Sequence, residues 1–153
     1  MIVKEVTKSI EKERIARLVL EALPDWFGNP EPREAYIRGC GYLPFYAAYD
    51  ENLPVGFICL KETGKDTAEL AVMGVLKEYH RKGLGRELFL NAKEAATEKG
   101  YSFLQVKTVK MGIYQDYDNT NRFYRTLGFK EFEVFPLLWD ENNPCQIYVM
   151  SLK

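Results

Sequence analysis

A single histidine and three cysteines, Cys40, Cys59 and Cys145, are all that 153 residues offer in imidazole or thiolate metal ligands. Three widely spaced thiols close no disulfide framework, and no Cys-x-x-Cys or His/Cys cluster supplies the ligands of a zinc site. No metal is expected, and the thiols read as reduced packing residues. Net charge is equally scarce: 21 Lys and Arg against 22 Asp and Glu leave −1 at pH 7. Without a general basic field, nucleic acid is a poor partner. No apolar run approaches the ~18 residues that cross a bilayer, so no membrane association is expected. Met1 to Ile10 is charged throughout and lacks the apolar segment of a secretory leader, which points to the cytoplasm. Neither repeats nor a low-complexity linker divide the chain, and residues 1–153 read as one domain.

What is present has the periodicity of an α/β protein. Ile2 to Val6 reads as a strand, and Thr7 or Ser9 can cap a helix with apolar stripe Ile15, Leu18, Val19, Ala22 and Leu23 that ends at Pro24. Asp25 to Pro32 is punctuated by Gly and Pro and reads as a loop bordering a pocket, followed by a short helix over Arg33–Arg38. Phe45–Tyr49, Val55–Lys61 and Thr67–Val75 form an expected antiparallel meander. Leu84, Leu88, Ala92 and Ala95 share one face of a helix that Gly100 terminates. Ser102–Val109 is a further central strand, Thr120–Leu127 a helix ended by Gly128, and Phe132–Phe135 and Gln146–Leu152 the last strands. Strands and helices must therefore share one mixed sheet.

The segment Val72 to Leu88 runs from an apolar strand through a basic, glycine-punctuated turn into a helix. A helix start offers unpaired N–H groups and a positive dipole end, and glycines let a phosphate approach the backbone. Arg81, Lys82 and Arg86 add full charges, so the expected ligand carries a pyrophosphate or several phosphates. A dinucleotide fingerprint fits worse because Leu88 stands where a third glycine belongs, and Gly-Lys-Ser/Thr of a Walker A loop is absent.

The element order, with His80-Arg-Lys-Gly83-Leu-Gly85 after the fourth strand and Phe123-Tyr124-x-x-x-Gly128-Phe129 near the end, resembles the GCN5-related N-acetyltransferases (GNAT). The resemblance implies a mixed, mostly antiparallel sheet of about seven strands flanked by about four helices. It also implies acetyl-CoA as cosubstrate and acyl transfer to a primary amine, on a small molecule or a protein, in a possible homodimer. Its signature, Gln or Arg, two residues, Gly, one residue, Gly or Ala, is met by Gly83 and Gly85, while His80 replaces the usual Gln or Arg. His80, Arg81, Lys82, Gly83, Leu84, Gly85 and Arg86 would hold the coenzyme. An asparagine often lies seven residues before the motif tyrosine; Tyr117 occupies that place, Asn119 and Asn121 lie nearby, and Asn121 is taken as the candidate for the coenzyme.

By the same resemblance, the Met73 N–H would face the developing oxyanion and Val75 would pair with the pantetheine arm as a neighbouring strand does. Tyr124 would protonate the departing thiolate or hold the sulfur. Glu69, eleven residues before His80, sits where the histone-acetyltransferase branch has its general base, and it or a relayed water would take the amine proton. Strand alternation groups Glu69 with Ala71, Met73 and Val75 on one face, where apolar neighbours would raise a carboxyl pKa unless a bulge shifts the phase. Trp26, Phe27 and Trp139 are candidates for the acceptor pocket, or else core aromatics. A noncatalytic acyl-CoA sensor is the alternative.

Overall fold

The computed structural model describes all 153 residues. The elements are β1 Ile2–Val6, α1 Ser9–Glu21, α2 Pro24–Phe27, α3 Pro30–Cys40, β2 Phe45–Asp50, β3 Leu53–Gly64 and β4 Thr67–Val75. After these come α4 Leu84–Glu98, β5 Phe103–Val109, α5 Gln115–Leu127, β6 Lys130–Asp140 and β7 Asn143–Ser151. Seven strands form one sheet in the order β1-β2-β3-β4-β5-β7-β6, antiparallel except at β4/β5. This is the mixed sheet expected, with one short helix more than anticipated. No helix is long and apolar enough to cross a membrane.

Several boundaries move for local reasons. Pro30 occupies the first helical turn of α3, where its missing N–H costs nothing, so the helix starts earlier than Arg33. Residues Pro24–Phe27 form a single helical turn rather than an open loop, again with proline in its first turn. α5 extends back to Gln115, since Asp116 and Asp118 in its first turn complement the helix dipole. Neither Thr7 nor Ser9 caps α1; the Ser9 hydroxyl instead donates to the Gly41 carbonyl at 2.7 Å and ties α1 to the end of α3. Gly100 closes α4 with φ +87°, in the left-handed region open to glycine.

Each face of the sheet buries its own cluster. Leu88, Phe89, Ala92 and Ala96 of α4 pack with Leu70, Leu104, Val106 and Tyr148 on one face, where Ala96 is fully buried and Ala95 partly so. On the other face Ile15, Val19 and Leu20 of α1 and Ile37 of α3 meet Phe57, Cys59 and Phe45, whose ring stacks on Phe57 at 5.0 Å. Burying each such side chain stabilises the fold by roughly 1.5–3 kcal/mol, so the two layers fix where the strands between them lie.

The consequential irregularity is in β4. Cys59 pairs with Val72 and Leu60 with Leu70, which leaves Ala71 as an extra residue, a β-bulge. Ala68, Leu70, Met73 and Val75 therefore lie on the α4 face. Val72 lies on the opposite face, and so does Gly74, at which a Cβ would meet Val19 and Leu23. By alternation Glu69 shares that second face. The expected grouping of Glu69 with Met73 and Val75 is thus overturned by the bulge between them.

Candidate active site

β4 and β5 pair only through Thr67–Glu69 and Phe103–Gln105; beyond Glu69 the two parallel strands part. Leu76 N–H bonds to Val55 on β3, and the alternation of an antiparallel ladder then turns the N–H and C=O groups of Met73 and Val75 away from β3, into the opening. A cavity of about 850 Å³ occupies this parting, walled by β4, β5, α2, α3, the turn before α4, and α5.

At one end lies the glycine turn. Arg81 and Gly83 both take left-handed backbone angles, φ +61° and +81°, and α4 starts without a side-chain cap. The N–H groups of Leu84, Gly85 and Arg86 have no acceptor in the protein; the first N–H of this turn to find one is Glu87, on Gly83 O. The two glycines are needed for different reasons. Gly83 has open space around it but requires positive φ, whereas a Cβ at Gly85 would stand 3.0 Å from Phe123 Cζ and 3.1 Å from Met73 Cε. Arg81, Arg86, Arg122 and Lys77 line this part of the cavity. Lys82 does not: its ammonium lies 5.2 Å from the centre of the Tyr79 ring, outside the wall. His80 donates from Nε2 to the Val75 carbonyl at 2.6 Å and meets Trp26 edge to face, so it fastens the turn to the end of β4.

Tyr124 reaches the cavity from α5, and its hydroxyl makes no hydrogen bond in the protein. Burial, then Tyr117 and Glu69, push its pKa well above the usual phenol range, so it holds its proton at neutral pH. Asn121, expected at the coenzyme, does not line the cavity. It is fully buried, donates from Nδ2 to Val109 O at 2.9 Å and Tyr117 O at 2.6 Å, and accepts from the Tyr148 hydroxyl. Tyr117 itself, at the place of the family asparagine, donates to Trp26 O at 3.1 Å.

The second face forms the other end. Trp26, Phe27, Tyr36, Tyr117 and Trp139 supply aromatic wall, and burial raises the pKa values of Tyr36 and Tyr117. All three aromatics read from the sequence as acceptor candidates thus border the cavity. Glu69 is brought near but does not line it. Its Oε1 accepts from Lys107 Nζ at 2.9 Å, and Lys107 does line the cavity. The apolar neighbourhood expected for Glu69 is absent because an ammonium occupies it. Lys107 escaped the sequence reading, although a lone lysine inside the strand Phe103–Val109 was the available signal. No group of three or more His, Cys, Asp or Glu side chains is gathered to hold a metal ion.

The parted strands and the open helix start suit a long, flexible cosubstrate ending in phosphates. Such a molecule can add to the free strand edge and place its anionic end on the unpaired N–H groups. The GNAT acetyltransferase domain model matches residues 41–131. Among solved structures, a GNAT-family protein from Desulfovibrio desulfuricans superposes with TM-score 0.83 at 18% identity, covering 99% of both chains. An aminoglycoside 6′-N-acetyltransferase complexed with coenzyme A gives 0.77 at 17%, covering all of this chain and 98% of the other. The aminoglycoside 6′-N-acetyltransferase from Enterococcus faecium gives 0.76 at 18%, with the same coverage. No curated protein matches the chain. With the family model spanning more than half of its length and the same architecture in these structures, the chain belongs to the GNAT acetyltransferase family.

Proposed function

We propose that this chain is an acetyl-CoA-dependent N-acetyltransferase that passes the acetyl group directly to a primary amine. The observation that carries this reading is the Tyr124 hydroxyl, protonated and without a partner, in a cleft whose two strands have parted beside an open helix start. Acetyl-CoA, when bound, supplies an acyl carbon activated as a thioester. The N–H groups of Leu84, Gly85 and Arg86, with Arg81 and Arg86, bind the diphosphate through charge-assisted hydrogen bonds. Met73 N–H, turned into the cleft, is aimed to stabilise negative charge on the acyl oxygen. Glu69, directly or through a water, accepts the proton of the amine, and Tyr124 donates to the sulfur as it leaves.

The test is thermal unfolding with acetyl-CoA, free CoA, NAD and ATP in parallel, because a ligand selective for the native state raises stability by RT ln(1 + [L]/Kd). A shift with CoA species alone is expected, followed by thiol release in an amine panel. Equal shifts, or none, would overturn the coenzyme assignment; binding without thiol release from any amine would leave a noncatalytic acyl-CoA sensor.

A further inference from the structure

We infer that Lys107 is a positioning residue for acceptor deprotonation, holding Glu69 behind the cavity wall through the 2.9 Å ion pair so that its free carboxylate oxygen takes the amine proton through a water; this rests on the proposed acetyl transfer. Three observations carry it. The Ala71 bulge puts Glu69 on the face away from α4, with the aromatic wall, and alternation along β5 puts Lys107 on that same face, opposite Leu104 and Val106. The pair is mostly shielded, at 26% and 12% side-chain exposure, where an ion pair is screened far less than at the surface. Oε1 is engaged by Lys107, whereas Oε2 bonds to nothing in the protein and is not sealed from solvent.

Charge accounting leaves the task to Lys107. The titratable groups facing Glu69 from neighbouring elements are Lys107 on β5, Tyr36 on α3, Tyr124 on α5 and Cys145 on β7. The two phenols and the thiol are all pushed upward, chiefly by burial, and stay neutral at physiological pH. Lys107 therefore forms the one ion pair of Glu69. The proton step balances: an ammonium R–NH3+ gives one proton to the Glu69 carboxylate, leaving a neutral amine and a neutral carboxyl, while the Lys107 ammonium is unchanged. Removing that ammonium releases the carboxylate from its fixed position and leaves the amine without an oriented base.

The experiment compares wild type, K107M, K107R, E69Q and the E69Q/K107M double variant. Acetyl-CoA affinity is read by calorimetry, and thiol release with 2-phenylethylamine as probe amine is read across pH. Coupling of the pair in the free protein is read from the same variants as a double-mutant cycle in urea denaturation. In K107M kcat/KM for the probe amine should fall by about tenfold or more. Acetyl-CoA affinity should stay within about twofold, and K107R should restore the wild-type profile. In the E69Q background K107M should cost nothing further, as for residues acting as a unit. Wild-type kcat/KM in K107M, or equal losses in both backgrounds, would overturn the inference. Failure of wild type to bind acetyl-CoA would instead overturn the proposed function, with the stability cycle still deciding whether Lys107 holds Glu69.

Discussion

The Tyr148 hydroxyl donates to Asn121 Oδ1 at 2.6 Å in a site closed to solvent, and Arg125 Nε donates to the same hydroxyl at 3.2 Å. Asn121 thereby ties α5 to β7 and, through Val109 O, to the edge of β5 that β4 has released. Asn121→Leu should destabilise the fold by about 2–4 kcal/mol in urea denaturation, because three buried polar groups lose a partner. Acetyl-CoA affinity of the folded protein should change by less than about twofold. A large loss of affinity at unchanged stability would return Asn121 to the coenzyme site.

The two glycines of the turn should fail differently. Gly83→Ala keeps open space but forces an L-residue to φ +81°, at a cost of about 1 kcal/mol in stability. Gly85→Ala pushes on Phe123 and Met73 at the cavity wall, and its acetyl-CoA Kd should rise about tenfold or more with little strain in the backbone itself. Denaturation and calorimetry on both variants separate the two effects.

Tyr124→Phe should lower kcat by about 10²-fold or more while KM for acetyl-CoA stays close to wild type. Its stability should hardly change, since the hydroxyl has no hydrogen bond to lose. Unchanged turnover would remove Tyr124 from the proton path.

Alkaline pH should destabilise the protein in a defined window. Burial raises the Cys145 thiol from 9.0 to about 11, so the folded state holds this proton more tightly than the unfolded chain. Its contribution to stability is complete below pH 9 and is lost as pH rises through about 11. Tm should fall across that range, and less steeply in Cys145→Ala; parallel slopes would exclude this thiol as the source.

Polycationic amines should be poor acceptors. Lys77, Arg81, Arg86, Lys107 and Arg122 line the cavity against Asp25 and Asp116, and Asp25 is already paired with Lys77 at 2.7 Å. Asp116 is then the one lining carboxylate without an ion pair, which suits a compact amine with a single charge. Spermidine and kanamycin should show kcat/KM at least about tenfold below 2-phenylethylamine. The reverse order in a thiol-release assay would refute this charge argument.

Much of this was legible in one dimension. The glycine turn, the helix behind it and the Phe123-Tyr124 motif are local features, set by φ preferences, dipole ends and 3.6-residue periodicity, and their positions follow from sequence spacing. Seven strands in a mixed sheet followed from the same local rules, whereas the placement of Tyr124 and the two glycines on one cavity was implied by the family resemblance. The three aromatics Trp26, Phe27 and Trp139 were visible as candidates, though only the fold brings residues more than 100 positions apart to one wall.

Tertiary structure alone decided the rest. A bulge depends on how β3 registers against β4, and one extra residue at Ala71 moves Glu69 to the other face without leaving a mark in its own hydrophobic pattern. Lys107 and Glu69 lie 38 positions apart, so their ion pair exists only because parallel β4 and β5 align before they separate. Asn121 had the right identity for a ligand, but the rotation of α5 aims it at Val109 and Tyr148, and backbone satisfaction claims it. The sequence by itself determined which kinds of group were available and which local shapes they take. Their assignment to cofactor, acceptor or core was decided by register and packing, which are properties of contacts distant in the chain.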